Sequence, residues 1–154
     1  MEPFQIFYLC LSLVVFGLAW LRGGHTERAG VVMLVVAFLV TYPLHPLRIG
    51  AFWLGDFVVD LVLAAALLWL ALRRDRWWTL AAAAFAVLTI AAHLVMLTVP
   101  GMDARGDIAA RWGLGVLTIL CLAGGVLERW LAGEPPVSRE ARWGPGASKR
   151  VLNI

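Results

Sequence analysis

Five long apolar runs, separated by short polar punctuation, occupy most of this 154-residue chain: 4–21, 29–47, 51–72, 77–99 and 108–131. Each is close to the ~20 residues that a helix rising ~1.5 Å per residue needs to cross ~30 Å of hydrocarbon. Strands in lipid leave backbone groups unpaired unless they close into a barrel, and the alternation of barrel strands is absent. The pattern predicts five transmembrane helices. The second carries Pro43 and Pro46 near its end, which predicts a tilted, kinked or partly re-entrant segment there. The connectors 22–28, 48–50, 73–76 and 100–107 are short, and short links make consecutive helices antiparallel neighbours. Beyond the fifth run the chain reads EPPVSREARWGPGASKR, too poor in apolar area to fold alone. The expected organisation is a five-helix bundle over 1–131 and a basic, Pro/Gly-rich cytoplasmic tail over 132–154. The opening Met-Glu-Pro-Phe lacks the basic segment of a secretory signal and no A-x-A site follows, so the first run is expected to be a retained span.

Composition agrees with lipid as the solvent. Hydrophobic residues make up 62% and charged residues 15%, against about 45–50% and about 25% in soluble domains. The net charge of +3 raises nucleic acid as a partner, but the placement of the basic residues answers it. With five spans the termini lie on opposite sides. Arg48, Arg105 and Arg111 share the N-terminal side; Arg22, Arg28, Arg73, Arg74, Arg76, Arg129, Arg139, Arg142, Lys149 and Arg150 share the other. The positive-inside rule puts the second set in the cytoplasm, so the N-terminus is expected outside and the C-terminus inside a bacterial inner membrane. There the basic residues meet anionic headgroups, and nucleic acid is not needed to explain them. Trp20, Trp69, Trp77, Trp78 and Trp130 fall at cytoplasmic helix ends and Trp53 and Trp112 at outer ends, as an interfacial belt requires. Arg73, Arg74, Arg76, Trp77 and Trp78, with Arg139 and Arg142 of the tail, are the expected contacts to lipid or to a partner.

The candidate chemistry is polar and sparse. GDFVVDLVL, residues 55–63, puts Asp56 and Asp60 four apart on one face of an apolar helix. An ionised side chain at mid-bilayer costs about 2.5–3.5 kcal/mol on an insertion scale, and a second acid compounds the cost by repulsion. The fourth helix runs outward and brings His93 to a similar level; Tyr42 and His45 close the second helix on that side. Pairing Asp60 with a protonated His93 offsets the cost, as do hydrogen bonds from Thr89, Thr98 or Tyr42. Ala82, Ala86, Thr89 and His93 form one stripe, small enough for close approach, which is expected to pack on the Asp56/Asp60 face. Such a pair reads first as a structural lock between helices, next as a site that binds or moves protons or a metal ion, and last as a contact with a partner protein. His45, Asp56, Asp60 and His93 form a mixed N/O donor set suited to zinc or manganese. Haem between His45 and His93 is open on depth alone, though the pattern requires no cofactor.

Other features have plainer readings. RGGHTERAG (22–30) follows no strand, so a phosphate loop is not expected, and Glu27 suits the first turn of a helix. Asp75 in RRDRWW is expected to pair with a neighbouring arginine. Asp103 and Asp107 in GMDARGD (101–107) belong to a solvated outer turn, where they could gather cations. Gly113, Gly115, Gly124 and Gly125 fit close packing within or between chains. Cys10 and Cys121 read as small core residues at different depths, not as a disulfide. No arrangement for nucleophilic catalysis is visible.

AWLRGGHTER (19–28) and VDLVLAAALLWLALRRDRWW (59–78), followed by the histidine of AAHLVML (91–97), resemble a group of small uncharacterised bacterial inner-membrane proteins. The likeness covers roughly the first 100 residues and implies membrane placement without an activity. Five-span tryptophan-rich sensor proteins share the size and the tryptophans, but their paired tryptophan-proline motifs after the first helix are missing here. The function expected is a non-catalytic accessory or structural subunit of a larger membrane complex, in contact with lipid and with other subunits or a second copy. The alternatives are a proton or divalent-cation transporter or channel subunit using Asp56, Asp60 and His93, and an intramembrane metal or haem protein.

Overall fold

The computed structural model describes residues 3–50, 52–98 and 104–134. Five helices follow in chain order: α1 (Pro3–Arg22), α2 (His25–Leu44), α3 (Leu54–Arg73), α4 (Trp77–Thr98) and α5 (Ala104–Leu131). Each is long and apolar enough to cross a membrane, which fits a polytopic membrane protein. Their surfaces carry large apolar side chains such as Leu13, Phe38, Leu39 and Val62 in exposed positions. The tail from residue 135, with Arg139, Arg142 and Trp143, lies outside the described residues, as do Pro100 and Asp103.

The helix limits differ from the apolar runs for a physical reason. A helix extends into polar sequence wherever its end groups find partners. Thus α2 begins at His25, four residues before its apolar run, because the Glu27 carboxylate turns back to accept the Gly24 backbone N–H at 2.7 Å. α5 begins at Ala104, four residues before its apolar run, which places Asp107 in a first turn instead of a solvated loop. α3 starts at Leu54, three residues after its apolar run begins, so Asp56 is also a first-turn acid. α2 is continuous through Pro43, with the His45 N–H closing onto the Thr41 carbonyl at 2.8 Å. The chain then reverses through a small bridge between Ile49 and Phe52, with Gly50 at φ +60°. Only glycine enters that left-handed region without a Cβ penalty.

Contacts bring the helix ends together in two groups. The end of α2, the starts of α3 and α5 and the last turns of α4 meet around His45, Asp56, Arg111, Asp60 and His93. The starts of α2 and α4 and the end of α5 meet around Glu27, Trp78 and Arg129. Between them lies an apolar core that includes Val15, Leu67, Ala82, Ala86, Ile119 and Leu122. The Ala82–Ala86–Thr89–His93 stripe is buried, and His93 reaches Asp60 from it.

Several expectations are corrected here. Trp78 is not an interfacial anchor but one of the most buried side chains, because Gly30 and Gly125 leave a hollow for its ring: a Cβ on either would run into the indole. Trp20, Trp69, Trp77 and Trp130 are exposed. Gly124 faces Trp77 and Gly115 faces Tyr8, whereas a Cβ on Gly113 would meet nothing within 4 Å among the described residues. Cys10 is exposed on α1, not a core residue; Cys121 is buried, and both are free. Asp75 is exposed, and no arginine among the described residues lies within ion-pair distance of it.

Candidate functional site

The polar groups of the spans divide into three clusters. The first is built where α2 turns into α3. His45 Nδ1 sits 3.0 Å from Asp56 Oδ1, and the imidazole stacks on Trp53 with ring centroids 4.3 Å apart. The Arg48 guanidinium lies over the same indole at 3.2 Å. Asp56 is also the acceptor for Arg111, whose Nη1 is 3.4 Å away, and Arg111 Nε donates to Asp107 at 3.0 Å. Asp107 is 3% exposed and its Oδ1 has no hydrogen-bond partner. Two carboxylates therefore share one guanidinium, with His45 at the open side. Both acids stand in first turns, where the positive end of the helix dipole favours a negative charge.

The second cluster lies deeper. His93 Nε2 and Asp60 Oδ2 are 2.9 Å apart. The His93 side chain is 2% exposed and the Asp60 side chain 28%. Phe52 and Phe57 set their rings edge-on to the imidazole, at 6.0 and 5.5 Å. Asp60 stands about 9 Å along α3 from Leu54, and His93 about 7.5 Å from the end of α4. The i, i+4 spacing puts Asp56 and Asp60 on one face, but the two acids serve different partners and do not form one site.

Other expected members are elsewhere. Tyr42 is 87% exposed and contributes nothing to either cluster. Thr89 and Thr98 return their hydroxyls to backbone carbonyls of their own helix, Phe85 and Leu94 respectively, so neither supports an acid. A buried hydroxyl satisfied within its own turn needs no outside partner. The metal candidates His45, Asp56, Asp60 and His93 separate into two pairs, and no group of three His, Cys, Asp or Glu side chains among the described residues is placed to hold a metal ion. His45 and His93, the pair named for haem, each turn one ring nitrogen to a separate aspartate.

The third cluster was not expected as a site. Glu27 is fully buried. Its Oε1 accepts the Trp78 indole N–H at 3.1 Å, its Oε2 accepts Gly24 N–H, and Arg129 approaches to 4.0 Å. Arg129 also holds Glu134 at 3.0 Å, and Glu134 takes Arg76 at 2.5 Å. Arg76 reaches Glu128 as well, at 3.5 Å. The hydrogen bond from Arg76 holds the Glu134 carboxyl below the usual glutamate range and, reciprocally, raises the guanidinium. Of the anchor residues named from sequence, Arg76 is thus a tie between the α3–α4 link and the end of α5. Arg73 lies over Trp69 at 5.4 Å, and Arg74 is exposed. A glutamate in the first turn of an apolar helix was the sequence signal for Glu27. Arg111 had a weak signal of its own, its i, i+4 spacing from Asp107.

Comparison with protein-family models, with curated proteins and with solved structures finds no match.

Proposed function

We propose that this chain is a non-catalytic, structural or accessory subunit of a larger assembly in a bacterial inner membrane. Its helices alternate in direction, with the N-terminus outside and the tail in the cytoplasm. The observation that carries the reading is the use made of the charges. Glu27, Asp56, Asp60 and Asp107 are each engaged by a histidine, arginine or indole on another element or one turn away. The clusters stand at the two ends of an apolar interior: Asp60 to Arg73 along α3, and Trp78 to His93 along α4, each span about 20 Å. Charges spent in this way tie helices to one another, and the faces left outward are apolar. The orientation is supported by the concentration of arginines at the end that holds Arg76 and Arg129.

Extraction of native membranes into polymer-bounded nanodiscs tests the assembly. The expected particle contains the chain with another membrane subunit or a second copy in fixed ratio; single-chain particles by mass measurement overturn the reading. A C-terminal fluorescent-protein fusion is expected to fluoresce, and a C-terminal alkaline phosphatase fusion to stay inactive. The reverse result overturns the orientation.

A second reading is proton or divalent-cation movement through Asp60 and His93. It is favoured by one feature: the pair has an open side at Asp60 and a dry side at His93. Asp60→Asn then abolishes ion flux in proteoliposomes. Absence of flux in the unsubstituted protein ends this alternative.

A further inference from the structure

A groove of ≈ 340 Å³ runs along the bundle surface between α1 and α5, toward the end that holds Arg76. Its floor is Val15 and Val126, both buried; Leu18, Ala123 and Trp130 form its walls, and Arg22 stands at its mouth. Residues 15, 18 and 22 of α1, and 123, 126 and 130 of α5, recur at helical spacing, so each helix contributes one ridge. The two helices are clasped at their other end, where Phe4 and Tyr8 set their rings edge-on to Trp112 and Tyr8 lies over Gly115. Toward Arg22 the small Ala123 replaces such a ring, and the surface stays open.

A charge stands at the mouth of this groove. Arg76, Arg111 and Arg129 all have carboxylate partners. Arg22 is exposed, and no acid among the described residues lies within ion-pair distance of it. The groove therefore runs about 10 Å as a purely apolar slot and ends on an uncompensated cation in the last turn of α1. A free phosphate has no use for the apolar walls, and a zwitterionic lipid brings no net negative charge to the arginine.

We infer that this groove seats one acyl chain of an anionic phospholipid, with the phosphate on the Arg22 guanidinium and the Trp130 indole beside it at headgroup level. The inference is independent of whether the chain serves a larger assembly. It is tested with purified protein in detergent micelles, titrated with brominated phosphatidylglycerol or brominated phosphatidylcholine of identical chains. Subtracting the quenching of the Trp130→Phe protein isolates the signal of Trp130. The half-quenching mole fraction is expected to be about fivefold lower for phosphatidylglycerol, the worth of one arginine near a membrane surface. Arg22→Gln, at an exposed position, is expected to erase that preference; Ala123→Phe, which fills the slot, raises the half-quenching fraction for both lipids. Equal half-quenching fractions in the parent protein mean a boundary lipid only and overturn the inference. So does a preference that survives Arg22→Gln, displacement by glycerol phosphate alone, or a dimer through this face that excludes both lipids.

Discussion

Removing the Glu27 carboxylate isolates what a fully buried acid contributes. In Glu27→Ala the Trp78 indole N–H and the Gly24 N–H lose their acceptor. Trp78 is 1% exposed, so its donor has little access to water. A buried donor left unmade costs about 1–3 kcal/mol, so the pair costs roughly 3–5 kcal/mol once the lost side-chain packing is included. Arg129 is not stranded, because Glu134 still holds it. Glu27→Gln keeps one oxygen as acceptor but turns an NH₂ toward the second donor, and is expected to cost about 1–2 kcal/mol. Trp78→Phe removes the donor and keeps most of the ring. A double-mutant cycle between Glu27→Ala and Trp78→Phe therefore reads the hydrogen bond itself. Hydrogen bonds between membrane helices average about 0.6 kcal/mol in such cycles. A charged, fully buried acceptor at 3.1 Å belongs above that mean, at about 1.5 kcal/mol. Equilibrium unfolding in bicelles, by steric trapping or denaturant, supplies the four stabilities. A coupling below about 0.5 kcal/mol, or a Glu27→Ala protein within that margin of the parent, refutes the reasoning.

His93→Leu leaves Asp60 without its partner and is expected to destabilise by about 2–3 kcal/mol, toward the low end for a broken buried pair because Asp60 is partly exposed; adding Asp60→Leu should restore stability to within about 1 kcal/mol, and a double variant no better than the single contradicts this in the same unfolding assay. The Arg76–Glu134 tie has a pH signature. The folded-state carboxyl is held below its usual range, so the stabilisation is full above that range and is lost as pH falls through the folded value, while Arg76 keeps its charge throughout. The stability difference between the parent and Arg76→Gln should shrink on acidification across that window, and a constant difference in pH-dependent melting refutes the tie. Gly125→Ala drives a Cβ into the Trp78 ring and should cost about 1–3 kcal/mol, whereas Gly113→Ala, with open space around it, should be neutral or gain up to about 1 kcal/mol of helix propensity. Equal effects at the two glycines, read by thermal melting, would disprove that assignment.

Five apolar runs were enough to place five helices, because burial in lipid is a sum over neighbouring residues in one segment. Their ends were less legible. His25–Arg28 and Ala104–Asp107 lie outside the apolar runs yet are helical, the first closed by the Glu27 carboxylate on the Gly24 N–H. The Asp60–His93 juxtaposition was readable from depth together with the facing small-residue stripe, since α3 and α4 are adjacent in the chain. The Asp56–Arg111 and Glu27–Trp78 contacts were not, because they join residues 55 and 51 positions apart. Tyr42 shows the converse: a polar residue at the right depth can face outward, and depth does not report rotation about the helix axis.

Segment hydropathy and the count of spans are properties of the sequence by itself, because each helix in lipid must satisfy its own backbone wherever its neighbours lie. Which charges meet was decided only in the tertiary structure. Lipid tails are as apolar as the helix faces, so packing is selected by shape: the hollow at Gly30 and Gly125 receives Trp78 and carries its indole to Glu27. Hydropathy is blind to that fit, and so to the cluster that depends on it.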